Sequence, residues 1–153
     1  VTRLNHAEEI RAAQIGLLYE QAPSALIATG INAAILTAVM WGQVPKILLL
    51  VWLLAILIVD LGRYALQRDY LQHPPAIAES LRWGRRFIYG VMANGVLWGF
   101  AGFFFFVTTS YAHQIFLVFV LGGMVSGAIS TLSPVRGAYL AFLVPALVPY
   151  AAR

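Results

Sequence analysis

The chain has 153 residues, of which 61% are hydrophobic and 10% charged, with a mean hydropathy of +0.80 and a net charge of +4. A soluble domain carries roughly 45–50% apolar and about 25% charged residues, so a water-facing globule is excluded and a polytopic membrane protein is expected. The absence of cysteine removes disulfides, thiolate metal sites and cysteine nucleophiles.

Arg3 to Gln21 reads as an N-terminal amphipathic helix, with Leu4, Ala7, Ile10, Gln14 and Leu17 at three- and four-residue steps. Glu8, Glu9 and Glu20 interrupt it, which does not fit a signal peptide. Ala22-Pro23-Ser24 marks a break, and Pro23 suits the first turn of the next helix. The predicted domains are therefore a cytoplasmic or interfacial helix over 1–22 and a transmembrane bundle over 23–153.

Five spans are predicted, near 24–41, 46–64, 87–107, 114–132 and 138–152, each close to the ~20 residues that cross a bilayer core. The second continues through Arg68 and Tyr70 until His73-Pro74-Pro75 stops it. A short amphipathic lead-in over 76–87 precedes the third. Pro145 and Pro149 lie inside the fifth and should kink it. Val1 is not Met, and Arg153 directly follows an apolar run, so a longer parent with six spans is expected.

Charge sets the orientation. With the N-terminus inside, Arg3, Arg11, Arg63, Arg68, Arg82, Arg85, Arg86 and Arg136 fall on the cytoplasmic side, against Lys46 and Arg153 outside. Loops rich in Lys and Arg stay cytoplasmic. These cations suit lipid headgroups; a nucleic-acid surface would need a basic stripe on an aqueous face. The bilayer is thus the expected partner, and nucleic acid is not.

Chemistry-bearing groups are sparse. His6, His73 and His113 fall in separate segments, with no HExxH or paired-carboxylate pattern, so no catalytic group, metal or cofactor is expected. Asn32, Asn94, Ser126 and Ser130 are intramembrane polar residues, with Asp60 near the inner edge beside Arg63 as a local ion pair. Two readings stay open. Asn32, Asn94 and Trp98, with Ser126 and the helix around Pro145, line a pocket open to the outer leaflet, or the two asparagines bond to one another and staple two helices. Gly95-xxx-Gly99 and Gly123-xxx-Gly127 are small-xxx-small patterns, expected at helix–helix contacts.

Several short runs carry a resemblance. They are Leu17-Leu18-Tyr19-Glu20-Gln21-Ala22-Pro23, Arg82-Trp83-Gly84-Arg85-Arg86-Phe87, Leu97-Trp98-Gly99, His113-Gln114-Ile115-Phe116-Leu117 and the stretch from Ala141 to Pro149. Together they resemble the N-terminal membrane region of proteobacterial signalling proteins, in which a multi-helix sensor precedes a diguanylate cyclase (GGDEF), phosphodiesterase (EAL) or histidine kinase domain. No GGDEF, EAL or kinase motif lies within this chain, so the resemblance implies that catalysis belongs to a further domain. It also implies inner-membrane localisation, a small lipophilic or membrane-state signal, and a homodimeric parent. The rival class is a small transporter or transporter subunit, for which charged or broken-helix sites near the midplane are the mark.

Overall fold

The computed structural model describes residues 2–152, and within them all side chains except those of 2–5 and 78. The Arg3 and Leu4 side chains and Arg153 lie outside the described residues. Five α-helices follow one another: α1 (Thr2–Met40), α2 (Lys46–Gln72), α3 (Ser80–Phe104), α4 (Tyr111–Leu132) and α5 (Arg136–Ala151), with a 3-10 turn at Ile77–Glu79 before α3. Among the described residues there is no strand.

Four helices are long and apolar enough to cross a membrane: α1 from His6, α2, α3 and α4. The fifth expected span, α5, has 16 described residues and is not one of these four. The expected lead-in to the third span is likewise no separate element beyond the 3-10 turn, since α3 already begins at Ser80. Large apolar side chains such as Ile27, Ile31, Val51, Ile58 and Phe119 cover the outside of the bundle, as they would where the surrounding solvent is lipid.

The expected break at Pro23 is absent. Helix α1 runs through it, and no separate amphipathic helix exists. Proline has no N–H for the carbonyl four residues back, which here belongs to Tyr19. Gln67 of α2 replaces that donor, its Nε2 reaching the Tyr19 carbonyl at 3.1 Å. A long-range side chain thus repairs what would otherwise end the helix. Replacing Gln67 by Leu should cost about 1–3 kcal/mol, the penalty of a buried acceptor left unpaired. Pro23→Ala restores the N–H, so the same change should cost clearly less in that background. Thermal denaturation in detergent of the two single variants and the double variant reads the difference, and equal costs in both backgrounds would contradict the repair.

Two aromatic clusters bracket the bundle. At one end Tyr19 stacks on Tyr70 with centroids 3.9 Å apart and meets Trp83 and Phe87 edge-on, while its hydroxyl donates to the Trp83 carbonyl at 3.0 Å. At the other end Trp52 meets Trp98 and Phe105 edge-on, and Trp52 Nε1 donates to the Leu97 carbonyl at 2.7 Å. Such rings combine large apolar area with fixed geometry. Exposed Arg11, Arg68, Arg82, Arg85 and Arg86 gather at the Tyr19 end. Lys46 sits at the opposite end, over the Trp41 ring at 5.6 Å.

The most extensive helix contact joins α3 to α5. Gly95 and Gly99 make it possible: a Cβ on Gly95 would fall 2.6 Å from the Phe142 carbonyl oxygen, and one on Gly99 would run into the Pro145 carbonyl. Pro149 cannot donate to that same Pro145 carbonyl, so a freed acceptor of α5 lies directly against the α3 backbone. Gly102 extends the stripe, against Leu121 and Tyr150. Gly123 and Gly127 behave differently: a Cβ on either would meet nothing within 4 Å. The same spacing packs in one helix and faces open space in the other.

Candidate functional site

Between the aromatic clusters lies a cavity of about 260 Å³. Small residues of α1 and α4, among them Ser24, Ala28, Gly123 and Gly127, form its exposed mouth, and Arg63, Val91, Asn94 and Phe142 form its floor. It therefore opens sideways between α1 and α4. The mouth extends to Ser24 and Thr131, toward the arginine-rich end and away from the end that carries Lys46.

The floor is polar. Arg63 Nη1 donates to Asp60 Oδ1 at 3.3 Å, and Asn94 Nδ2 donates to the same oxygen at 3.3 Å. Both charged side chains are about nine-tenths buried, 10% exposed for Arg63 and 12% for Asp60. Gly90 makes room for the arginine stem, since a Cβ there would lie 2.9 Å from Arg63 Cγ. Asp60 Oδ2 and Asn94 Oδ1 are buried without a hydrogen-bond partner. An ion pair at this depth demands good geometry and satisfied neighbours to offset its desolvation, and here two acceptors are left over.

The hydroxyls of the wall are already engaged within their own helices. Ser24 donates to the Gln21 carbonyl, Thr29 to Ala25, and Ser130 and Thr131 both to Gly127. Asn32 Nδ2 reaches Met124 Sδ at 3.4 Å and ties α1 to α4. This leaves Arg63 and Asn94 as the floor residues with hydrogen-bonding capacity to spare, with Asp60 bonded to both.

The sequence-predicted site residues separate accordingly. Asn32 and Asn94 line one cavity, and they are not bonded to each other. Trp98 is fully buried in the aromatic cluster, outside the cavity, with its indole N–H unpartnered. Ser126 is exposed and does not line it. Pro145 lies in an apolar groove between α3 and α5, beside Val96 and Val148. Gly123 and Gly127, expected at packing contacts, instead line the mouth. Arg63, expected as a topology cation paired locally with Asp60 near the inner edge, makes that pair within α2 and lines the floor, whereas Arg68, Arg82, Arg85 and Arg86 are exposed.

The three histidines make local contacts only: His6 with Glu9, His73 with Asp69, and His113 Nδ1 with Ser110 Oγ at 2.7 Å. No group of three or more His, Asp or Glu able to hold a metal ion occurs among the described residues. Comparison with family models, curated proteins and solved structures returns no match to this chain.

Proposed function

We propose that this chain is the membrane-embedded sensory input module of a bacterial inner-membrane signalling protein, in which occupancy of the α1–α4 cavity biases a cytoplasmic cyclase, phosphodiesterase or kinase domain. One observation carries the reading. The cavity is lined by all five helices, with Asn32 of α1, Arg63 of α2, Asn94 of α3, Gly123 of α4 and Phe142 of α5. A molecule held there contacts every element whose arrangement it would have to shift, and a signal acts only through differential affinity for two arrangements. Its contact on α5 lies one turn from the Pro145 carbonyl that Gly99 accommodates.

In this reading the arginine-rich end is cytoplasmic, the parent is a homodimer, α5 makes a fifth crossing beside α3, and a sixth returns the chain to the cytoplasm. The orientation has its own test. Ser80 is buried and unsuited to labelling, but Gln72 and Thr109 are exposed at opposite ends of the bundle. Because the chain has no cysteine, single cysteines at these two positions report cleanly. An impermeant maleimide on intact spheroplasts should label Thr109→Cys and leave Gln72→Cys unlabelled. The reverse would invert the topology.

The function itself is tested by joining the chain, through one added apolar helix, to a cytoplasmic diguanylate cyclase. Filling the cavity with Gly123→Leu should change cyclic di-GMP output at equal expression. Gly122→Leu, which also has open space around it and does not line the cavity, should leave output unchanged. Equal output from all three chains would overturn the sensory reading.

A second reading, a small transporter, is favoured by the buried Asp60–Arg63 pair, because ionisable groups inside a membrane mark substrate and ion paths. Solute uptake into proteoliposomes that disappears in Gly123→Leu would select it.

A further inference from the structure

We infer that the cavity binds the head of a neutral amphiphile that carries both a hydrogen-bond donor and an acceptor, an alcohol or an amide, with its chain leaving between α1 and α4 into the lipid. The inference deepens the sensory reading and rests on it. Occupancy is measured apart from output, however, so ligand binding and signalling can fail separately.

The head chemistry follows from what the floor leaves unsatisfied. Asn94 is 2% exposed and lines the cavity, and its Oδ1 has no partner; Asp60, whose Oδ2 is also unpartnered, does not itself line it. Buried acceptors of this kind call for a donor, because leaving them unpaired is costly in a low-dielectric interior. Arg63 also lines the cavity, and its hydrogen bond goes to Asp60 through Nη1. A guanidinium has five N–H donors, so it has capacity for an acceptor on the same head. Hydroxyl and amide groups supply both functions at once.

Charge selects against ions. Asp60 already balances Arg63 at 3.3 Å, so a carboxylate head would bring an uncompensated anion next to the Asp60 carboxylate, and an ammonium head would sit beside Arg63. Either leaves a net charge buried, which is heavily penalised. A pure hydrocarbon would leave the Asn94 acceptor unpaired.

Size and access fix the rest. A cavity of about 150 Å³ accepts benzene, so 260 Å³ holds a head group and the first few carbons but not a whole acyl chain. The mouth is built from Ser24, Ala28, Gly123 and Gly127, small residues that leave a path for the remainder of the chain into the bilayer. The shared chemistry has two sources, a membrane lipid with a free hydroxyl or a diffusible amphiphile.

The test uses the whole chain in lipid nanodiscs with a diazirine-bearing decanol, mapping crosslinks by mass spectrometry. Crosslinks should concentrate on Val91, Met124 and Phe142, fall about tenfold in Gly123→Leu and persist in Gly122→Leu. Decanol and decanamide should compete, decanoate and decane far less. Asn94→Leu should erase the preference for decanol over decane, about tenfold for one lost hydrogen bond, while folding is checked by circular dichroism. Organic extraction of the purified chain then separates the sources: a retained hydroxyl lipid, absent from Gly123→Leu, marks a resident membrane lipid, and competition without one marks a diffusible ligand. Crosslinks spread evenly over lipid-facing residues, equal competition by decane, or full labelling of Gly123→Leu would each overturn the assignment.

Discussion

Replacing Gly99 by Leu should cost about 3 kcal/mol or more of stability, whereas Gly123→Leu should melt close to the parent chain. At Gly99 the first added carbon already runs into the Pro145 carbonyl and lies 3.0 Å from the Pro149 ring. Both belong to a helix backbone or a rigid ring, so neither can rotate away. Relief requires α3 and α5 to separate, which uncovers Ala138, Phe142 and Ala146, now 4% exposed or less. Overpacking of this kind costs about 1–3 kcal/mol in ordinary cores, and a backbone obstacle belongs at the upper end. Gly123 presents no such obstacle. Thermal denaturation of the two variants side by side reads the contrast, and equal melting would show that α3 and α5 do not approach as closely as described.

Breaking the buried ion pair should be comparably severe. Arg63→Gln removes the cation that faces Asp60 at 3.3 Å and leaves a carboxylate 12% exposed in the bundle interior. Removing one partner of a buried pair typically costs about 3–5 kcal/mol, mostly the penalty of the stranded charge. Asp60→Asn strands the arginine instead. The double variant strands neither, keeps an amide oxygen for the Asn94 donor, and should recover most of the loss. A double-mutant cycle measured by denaturant unfolding in mixed micelles isolates the coupling. Additive costs would mean that the two charges are independently solvated and the floor of the cavity is wet.

The all-helical class and several helix ends are written locally. Helix α2 ends at Gln72, just before His73-Pro74-Pro75, because consecutive prolines remove donors and bias the preceding residue away from helix. Pro23 is equally visible in the sequence, yet α1 passes through it. The donor that replaces its missing N–H comes from Gln67, on another helix, and no local pattern encodes that pairing.

Arg63 is legible as the local partner of Asp60, but its burial is not. Its three-residue spacing from Asp60 marks the pair, whereas the depth at which α2 carries its side chain is set by the neighbouring helices. Gly90, one helix away, supplies the space that its stem occupies.

The glycine motifs show the limit most plainly. Gly95 and Gly99 have a neighbour, Gly123 and Gly127 have none within 4 Å, and the spacing is identical. What differs is which helix lies opposite, a property of the assembled bundle. The asparagines were legible as unusual residues at depth, and they do line one cavity. Their partners, Asp60 for Asn94 and Met124 for Asn32, were not legible, because hydrogen-bond partners across helices depend on rotation about each helix axis.

An experimental structure of the chain crystallised from a lipidic mesophase would show whether a laterally open cavity with a polar floor lies inside the membrane. Helices α1 and α4 should be held apart at Gly123 and Gly127, with non-protein density entering between them and ending beside Arg63 and Asn94. Helices α1 and α4 closed against one another at those glycines, with Asn94 and Arg63 packed against protein on every side, would contradict it.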